Sequence, residues 1–269
     1  MSKNIITNLV IGSEGFIGKS FCKYLEKQGE KVIRFDIKRN SSEDGRNFTF
    51  NFSNIDRVYF LAWDVGGAKY LYKKNTQLQQ LNWNMELITN LMPQLEKSKK
   101  PFLFISSQLA EETDTVYGVT KRLGETWTKI IEGTFIRQWN VYGQIEDTTE
   151  KSHVISDFIV QATGTKEIKM LTTGEEKRQF VHIDDVCRAW HLALQNKITG
   201  IHDVTSFEWI KIIDLANIIA KLTGAKVIPG KIIGSTPMTP ITGKVHGWSP
   251  HITIEEGLKK MIKTIKEKI

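Results

Sequence analysis

The sequence predicts an α/β fold: a doubly wound parallel sheet followed by a smaller, discontinuous C-terminal domain. Three observations predict it. Short apolar runs alternate with helix-period segments from Leu9 to Gly143. The first run breaks into a glycine turn that opens a helix. Beyond Gly143 the alternation loosens and the segments shorten. Strand and helix in strict alternation are how a parallel sheet with helices on both faces reads.

Leu9 to Ile11 is the first strand, and Gly12-Ser13-Glu14-Gly15-Phe16-Ile17-Gly18 follows it. Ile17, Phe21, Tyr24 and Leu25 then recur at helical spacing, and the helix ends near Gln28-Gly29. Strand, glycine turn and helix in this order can hold a dinucleotide, as in the Rossmann arrangement. Gly12 permits the tight turn, Gly15 lets a pyrophosphate approach the backbone, and Gly18 lets the helix pack on the strand. The helix N-terminus adds free N–H groups and the positive end of a dipole. The spacing is G-x-x-G-x-x-G rather than G-x-G-x-x-G, so the turn needs support from elsewhere in the chain.

That support begins at the second strand, Lys31 to Asp36. Asp36 lies 18 residues past Gly18, close to where a Rossmann unit places the acid that binds the ribose 2′-hydroxyl. Lys38 and Arg39 stand beside it and suit a 2′-phosphate instead. A carboxylate at Asp36 repels that phosphate, so NAD is favoured and NADP is the alternative.

Residues 40–47 read as a polar loop and Phe48 to Phe52 as a short third strand. Val58 to Ala62 is a fourth, leaving through the glycine loop Trp63 to Gly67. Gln77 to Lys97 is a helix through Leu78, Leu81, Met85, Ile88 and Leu91, which Pro93 kinks or restarts. Phe102 to Ile105 is a fifth strand ending in Ser106-Ser107, Val116 to Ile131 a helix, and Thr134 to Arg137 a sixth strand. Residues 144–152 are polar, Val154 to Ala162 is helical, and Glu167 to Leu171 is extended. Val181 to Asp185 opens a helix reaching Gln195, and Ile212 to Leu222 is another. Residues 229–250 form a loop with four of the six prolines, and Thr253-x-x-Glu256 is a capping box for the last helix. These boundaries put a dinucleotide-binding domain at 1–143 plus about 181–205, and a substrate domain at 144–180 and 206–269.

A chain of 269 residues, 40% hydrophobic and 25% charged, is ordinary for a soluble globular protein and long enough for a full core. No apolar stretch approaches the ~20 residues that span a bilayer, so no membrane segment is expected. The apolar run at the N-terminus is short and feeds a glycine turn rather than a cleavage site. A cytoplasmic location follows as the expectation. Cys22 and Cys187 lack metal-ligand spacing and read as core thiols in a reducing compartment, with no metal. The net charge of +7 suits an anionic ligand without identifying one. Much of it sits in Lys259 to Lys268, the solvated face of the last helix. No basic–aromatic interleaving or zinc pattern points to nucleic acid.

Tyr117-Gly-Val-Thr-Lys121 carries the chemistry. Positions i and i+4 share one helical face. Lysine there lowers the phenol's pKa by its charge and by binding a shared ribose, and a tyrosinate can then take a proton from a sugar hydroxyl. Ser107, at the end of the neighbouring strand, can hydrogen-bond the same oxygen. Hydride passes between the sugar carbon and the nicotinamide. A lone Y-x-x-x-K arises often by chance. Its weight here comes from its place after Ser106-Ser107, downstream of the glycine turn and Asp36.

With these motifs in place the chain resembles, nearly end to end, the extended short-chain dehydrogenase/reductase family, in its NAD-dependent nucleotide-sugar epimerase/dehydratase branch. Gly12 to Gly18, with Phe16 and Ile17, is similar to the family's glycine motif. Val58-Tyr-Phe-Leu61-Ala62 resembles the fourth strand, which implies Leu61 and Ala62 against the cofactor. Asn51-Phe52 stands where members carry Asp and an aliphatic residue beside the adenine. Asn84-Met-Glu-Leu-Ile-Thr-Asn90 is similar to an Asn-rich helix whose asparagines are structural. Arg137-Gln138-Trp-Asn140-Val-Tyr-Gly143 resembles R-x-x-N-x-Y-G. The match implies Gln138 and Ser106 beside the nicotinamide and Asn140 on the nucleotide-sugar. Gly174-x-x-x-Arg178 through Asp185 resembles a block in which Arg178 clamps the nucleotide diphosphate while His182 and Asp185 are scaffold. Gly247 to Gly257 is similar to the family's closing pattern.

Three departures bear on the reaction. Dehydratases of the family carry Asp-Glu directly after the active-site hydroxyl, whereas Ser107 precedes Gln108-Leu109. Gln108 then faces substrate, and a 4,6-dehydratase is disfavoured, although Glu111 and Glu112 stand close by. Val65 to Gly67 and Ser152 to Ile155 resemble the branch that makes GDP-fucose, where a Cys two residues past the serine works with a His. Leu109 holds that Cys position, leaving His153 to touch the sugar or to begin a helix. Only nine residues separate Ser107 from Tyr117, which implies an open sugar pocket. The resemblance therefore implies a nucleotide-diphosphate-sugar C4-epimerase with bound NAD. A 4-ketoreductase or 4-dehydrogenase is the runner-up, with a dehydratase or a non-catalytic NAD-binding regulator behind it. A homodimer through the helices of Asn84 and Tyr117 is implied as well.

Overall fold

The structure is a computed structural model and describes residues 5–145 and 153–267. The first half alternates strand and helix: β1 (Thr7–Ile11), α1 (Phe16–Lys27), β2 (Lys31–Phe35), β3 (Arg57–Phe60), α2 (Ala68–Leu71), α3 (Gln77–Ser98), β4 (Phe102–Ser107), α4 (Val116–Ile130) and β5 (Thr134–Gln138). Next come β6 (Asn140–Tyr142), α5 (Val154–Gly164), β7 (Glu167–Lys169), β8 (Lys177–Arg178), β9 (Phe180–His182) and α6 (Ile183–Gln195). The last elements are β10 (Asp203–Val204), β11 (Ile210–Lys211), α7 (Ile212–Thr223), β12 (Lys226–Ile228) and α8 (Ile254–Lys266).

Six strands form one parallel sheet in the order β10-β5-β4-β3-β1-β2. Register aligns their C-terminal ends: Ile11 pairs with both Phe35 and Phe60, Phe60 with Phe104, and Ser107 with Gln138. The chain order reverses at β1, which has β2 on one side and β3 on the other. A ligand crevice opens at such a switch point, outside the carboxyl ends of the strands. Gly12, Asp36, Leu61, Ser107 and Gln138 are thereby delivered to one edge.

Both faces of the sheet are covered, which is why β4 and β5 are buried at every residue. Phe21, Leu25, Val186 and Trp190 pack one face; Leu87, Leu91, Phe60 and Phe104 belong to the core on the other. A further core gathers Phe158 and Ile159 with Leu215, Ile219, Leu258 and Met261 from α5, α7 and α8. Short parallel pairs tie this part together: β6 with β9, and β7 with β12.

The structure corrects some expected elements. Phe48 to Phe52 is not a strand. Asn90 Nδ2 and Gln94 Nε2 each donate to Phe48 O at 2.9 Å, and Gln94 Oε1 accepts from Phe50 N–H at 2.9 Å. Side-chain amides of α3 thus satisfy the backbone that a sheet partner would otherwise satisfy. Phe35, Phe48, Phe50 and Phe52 line up in a row of ring contacts. The helix expected over Gln77 to Lys97 does form, as α3, and runs through Pro93 with Leu91, Met92 and Leu95 buried. Phe180 to His182 is a strand, and α6 begins only at Ile183.

The capping box forms: Thr253 Oγ1 accepts from Glu256 N–H at 3.3 Å, and Glu256 Oε2 accepts from Thr253 N–H at 3.0 Å. Lys259, Lys260 and Lys263 are exposed on that helix. Lys268 and Ser152 lie outside the described residues. Cys22 and Cys187 are both buried and free. Among the described residues no helix is long and apolar enough to cross a membrane.

Candidate active site

A cavity of about 600 Å³ follows the carboxyl edge of the sheet from Asp36 to Arg178. Gly12, Gly15, Phe16, Ile17 and Gly18 line its floor. Gly12 has φ +94°, and a Cβ there would lie 2.5 Å from Ala62 N. A Cβ on Gly18 would lie 2.1 Å from Gly12 O, inside the turn itself. Gly15 differs: its Cβ would meet only Gly12 O, at 3.3 Å. Two of the glycines make the turn, and the third leaves space above it. No side chain caps the N-terminus of α1, so its first N–H groups face that space. This cradle fits the diphosphate of a dinucleotide.

Asp36 closes one end. Its carboxylate accepts N–H bonds from Glu14 at 2.9 Å and Lys38 at 2.8 Å, which fixes its orientation. Leu61, Ala62, Ser106 and Gln138 line the cavity, whereas Asn51 and Phe52 do not. Asn51 is exposed, and its Oδ1 accepts from Ser53 N–H at 3.0 Å. Glu43, Asp44, Gly45, Arg46 and Trp83 line the cavity instead. Sequence reasoning missed them; the signal was a charged Glu-Asp-Gly-Arg run just after the strand-end acid.

The other end holds Ser107, Tyr117 and Lys121. Ser107 Oγ donates to Gln108 Oε1 at 3.1 Å and accepts from Leu109 N–H at 3.2 Å. Burial pushes the Tyr117 phenol up to about 12, against the opposing pull of the Ser107 hydroxyl. The expected lowering by Lys121 does not occur in this arrangement. Lys121 Nζ instead donates to Ile105 O at 2.6 Å and sits 3.9 Å above the Trp63 ring, 5.8 Å from the Tyr117 ring. Burial pushes this ammonium well below its usual value, opposed by Glu125.

Glu125 belongs to the support beneath. It accepts from Arg137 Nε at 2.8 Å and from Ser106 Oγ at 2.7 Å, and Arg137 is fully buried. Glu111 pairs with Arg137 and with Arg122, whose Nη2 is 2.7 Å away. Burial works to raise the Glu111 carboxyl, but the two guanidiniums hold it below its usual value. Glu112 accepts from Tyr72 at 3.2 Å. Neither carboxylate lines the cavity.

Gln108, Asn140, His153 and Arg178 line the remaining wall. Asn140 Nδ2 donates to Gln179 O at 2.9 Å, and Gln138 accepts from Trp190 Nε1 at 2.9 Å. His153 both precedes α5 and stacks on Phe16 at 5.8 Å. Arg178 donates to Lys177 O and Ser235 O, and burial lowers its guanidinium from the usual value. Asn84 clamps the glycine loop through Asp64, accepting from its N–H at 2.7 Å and donating to its carbonyl at 3.2 Å.

A model of the NAD-dependent epimerase/dehydratase family matches residues 8–204, from β1 to β10. The chain belongs to that family. It is thus an NAD-dependent enzyme of the epimerase/dehydratase type, and its glycine cradle suits that cofactor. A dTDP-4-dehydro-6-deoxy-D-allose reductase of Streptomyces bikiniensis is 23% identical, over 85% of this chain and 86% of the relative. The fold is shared with an NAD-dependent NDP-hexosamine 5,6-dehydratase of tunicamycin biosynthesis, at TM-score 0.83, 18% identity and 97% and 98% coverage. It is shared too with the UDP-glucose 4-epimerase of Thermotoga maritima, at TM-score 0.78, 22% identity and 98% and 99% coverage. The architecture thus serves both a dehydratase and an epimerase, and a sequence relative is a reductase, so the reaction has to be argued from the site.

Proposed function

We propose that this enzyme is a nucleotide-sugar C4-epimerase acting through a transient 4-keto sugar. The observation that carries the reading is that Ser107 and Tyr117 line the same cavity as a cofactor end bearing carboxylates, Asp36 and Glu43. Bound NAD supplies a two-electron acceptor that is restored when the same electrons return. Tyr117 takes the proton of the sugar 4-hydroxyl and gives it back to the opposite epimer. Ser107 holds the oxygen that gains and loses the proton, and Gln108 orients the Ser107 hydroxyl. Arg178 and Asn140 hold the nucleotide diphosphate. The nine-residue stretch between Ser107 and Tyr117 leaves the keto sugar room to turn over. Elimination of water is disfavoured, because Glu111 is taken up by Arg137 and Arg122.

A second reading, a nucleotide-sugar 4-ketoreductase, is favoured by the phenol's own state. Tyr117 is held as a protonated acid, ready to donate to a carbonyl oxygen. The likeness to the Streptomyces reductase points the same way. The test is incubation with UDP-, GDP-, CDP- and dTDP-sugars and their 4-keto forms, with and without NADH. Epimers formed without reductant support the first reading; stoichiometric NADH oxidation supports the second. NAD binding with neither reaction overturns both and leaves a binding protein.

A further inference from the structure

The loop after β2 carries a charge arrangement that the acid at Asp36 does not explain. The chain turns back at once, with Arg39 N–H bonding Asp36 O at 2.9 Å and Glu43 N–H bonding Asn40 O at 2.8 Å. This returns the Glu43 side chain to the strand end. Its Oε2 accepts from the backbone N–H of Asp36 at 2.8 Å, and Arg39 Nε reaches the same oxygen at 3.3 Å. Glu43 lines the cavity and Arg39 does not. Arg46, the second guanidinium at this end, is held by both oxygens of Asp44 and lies over the Trp83 ring at 4.5 Å. Lys38 is exposed and makes no ion pair among the described residues. Of the three cations that flank Asp36, two are neutralised in place.

We propose that Glu43 is a specificity-determining residue which, with Asp36, closes the 2′ position of the adenosine ribose to a phosphate. It acts in two ways. It sets a second negative charge beside the first, and it ties Arg39 back from the place where a phosphate would recruit it. A 2′-hydroxyl can donate to a carboxylate, whereas a 2′-phosphate has nothing to donate and is repelled. The inference rests on the dinucleotide lying in this cavity and is independent of which sugar is turned over.

The test is calorimetric binding of NAD and NADP to wild type, Glu43→Gln, Arg39→Ala and the double variant. Glutamine keeps an oxygen for the Asp36 N–H and removes only the charge. Glu43→Gln is expected to strengthen NADP binding by about tenfold while NAD stays within about twofold. Arg39→Ala alone does not strengthen NADP binding, because Arg39 is already engaged and its loss bares the Glu43 charge; in the Glu43→Gln background it removes most of the gain. An unchanged NADP affinity in Glu43→Gln overturns the proposal. So does a parallel loss for both dinucleotides, which would make Glu43 a support for the loop alone. Wild type that binds no NAD overturns the placement of the cofactor, and this inference with it.

Discussion

At the scale of single residues, Ser107 sits between Gln108 and Tyr117, and its one proton can go only one way. Given to Gln108 it holds the amide; turned to the phenol oxygen it favours the tyrosinate, which is why this contact opposes the upward push of burial. Removing the phenol with Tyr117→Phe should cost roughly 10²–10⁴-fold in turnover and leave NAD affinity unchanged, checked by rates beside calorimetry. The pH profile separates the two readings. A phenol pushed up to about 12 stays protonated through the neutral range. Carbonyl reduction, which needs the acid, should therefore be flat from pH 7 to 10 (roughly, by the usual tyrosine range). Oxidation of the sugar, which needs the base, should climb with pH across that interval. A reduction rate that falls steeply in it would show that bound ligands bring the phenol's pKa down.

Elements set the environments in which those residues work. At the N-terminus of α1, Gly15 and Gly18 look alike in the motif but differ in surroundings. Gly15→Ala adds a methyl to the cavity floor, so NAD affinity should fall by about tenfold or more with little change in melting temperature. Gly18→Ala drives the methyl onto Gly12 O, and backbone cannot yield there. It should lower the melting temperature as well as binding. At the N-terminus of α6, His182 Nδ1 accepts from Asp184 N–H at 3.2 Å, which requires the neutral ring. Burial lowers its pKa, reinforced by Lys260 and opposed by Asp184 and Asp185. The unfolded chain therefore takes up the proton first, near the ordinary value of ~6.5, and stability falls as pH drops below it. Melting at pH 7.5 and 5.5 should show a larger loss for wild type than for His182→Asn, since asparagine can cap without titrating.

On the whole-molecule scale, the cavity is completed by both parts of the chain. The sheet edge supplies the cofactor end, and His153, Arg178 and Pro237 supply the opposite wall. Outside the cavity, α3 and α4 pack together yet leave Leu78, Leu123 and Ile130 exposed, Ile130 by 73%. We propose that these helices form the homodimer interface. Light scattering should give twice the 30.8 kDa chain mass, and Leu123→Glu should reduce it to the monomer with the fold intact. A wild-type monomer at micromolar concentration would sink the idea.

Local pattern decided five of the sheet's six strands, their helices, the glycine turn and the cluster of Ser107, Tyr117 and Lys121, whereas β10 was not foreseen. Each depends on residues close in sequence, whose periodicity and turn chemistry leave few alternatives. The capping box at Thr253 was legible for the same reason, and the structural asparagines of α3 through the resemblance to the family. Tertiary structure decided what pattern could not reach. Phe48 to Phe52 reads as a strand, but Asn90 and Gln94, more than 40 residues away, satisfy its backbone instead. Asn51 and Phe52 therefore miss the cavity, and Glu43 to Arg46 enter it. Glu111 is an available base in sequence and an engaged partner of Arg137 in space. Lys121 stands one helical turn from Tyr117, yet the carbonyl of Ile105 and the ring of Trp63 claim its ammonium. Charge state and hydrogen-bond partner depend on desolvation and on groups brought together from distant parts of the chain. Only the folded molecule specifies them.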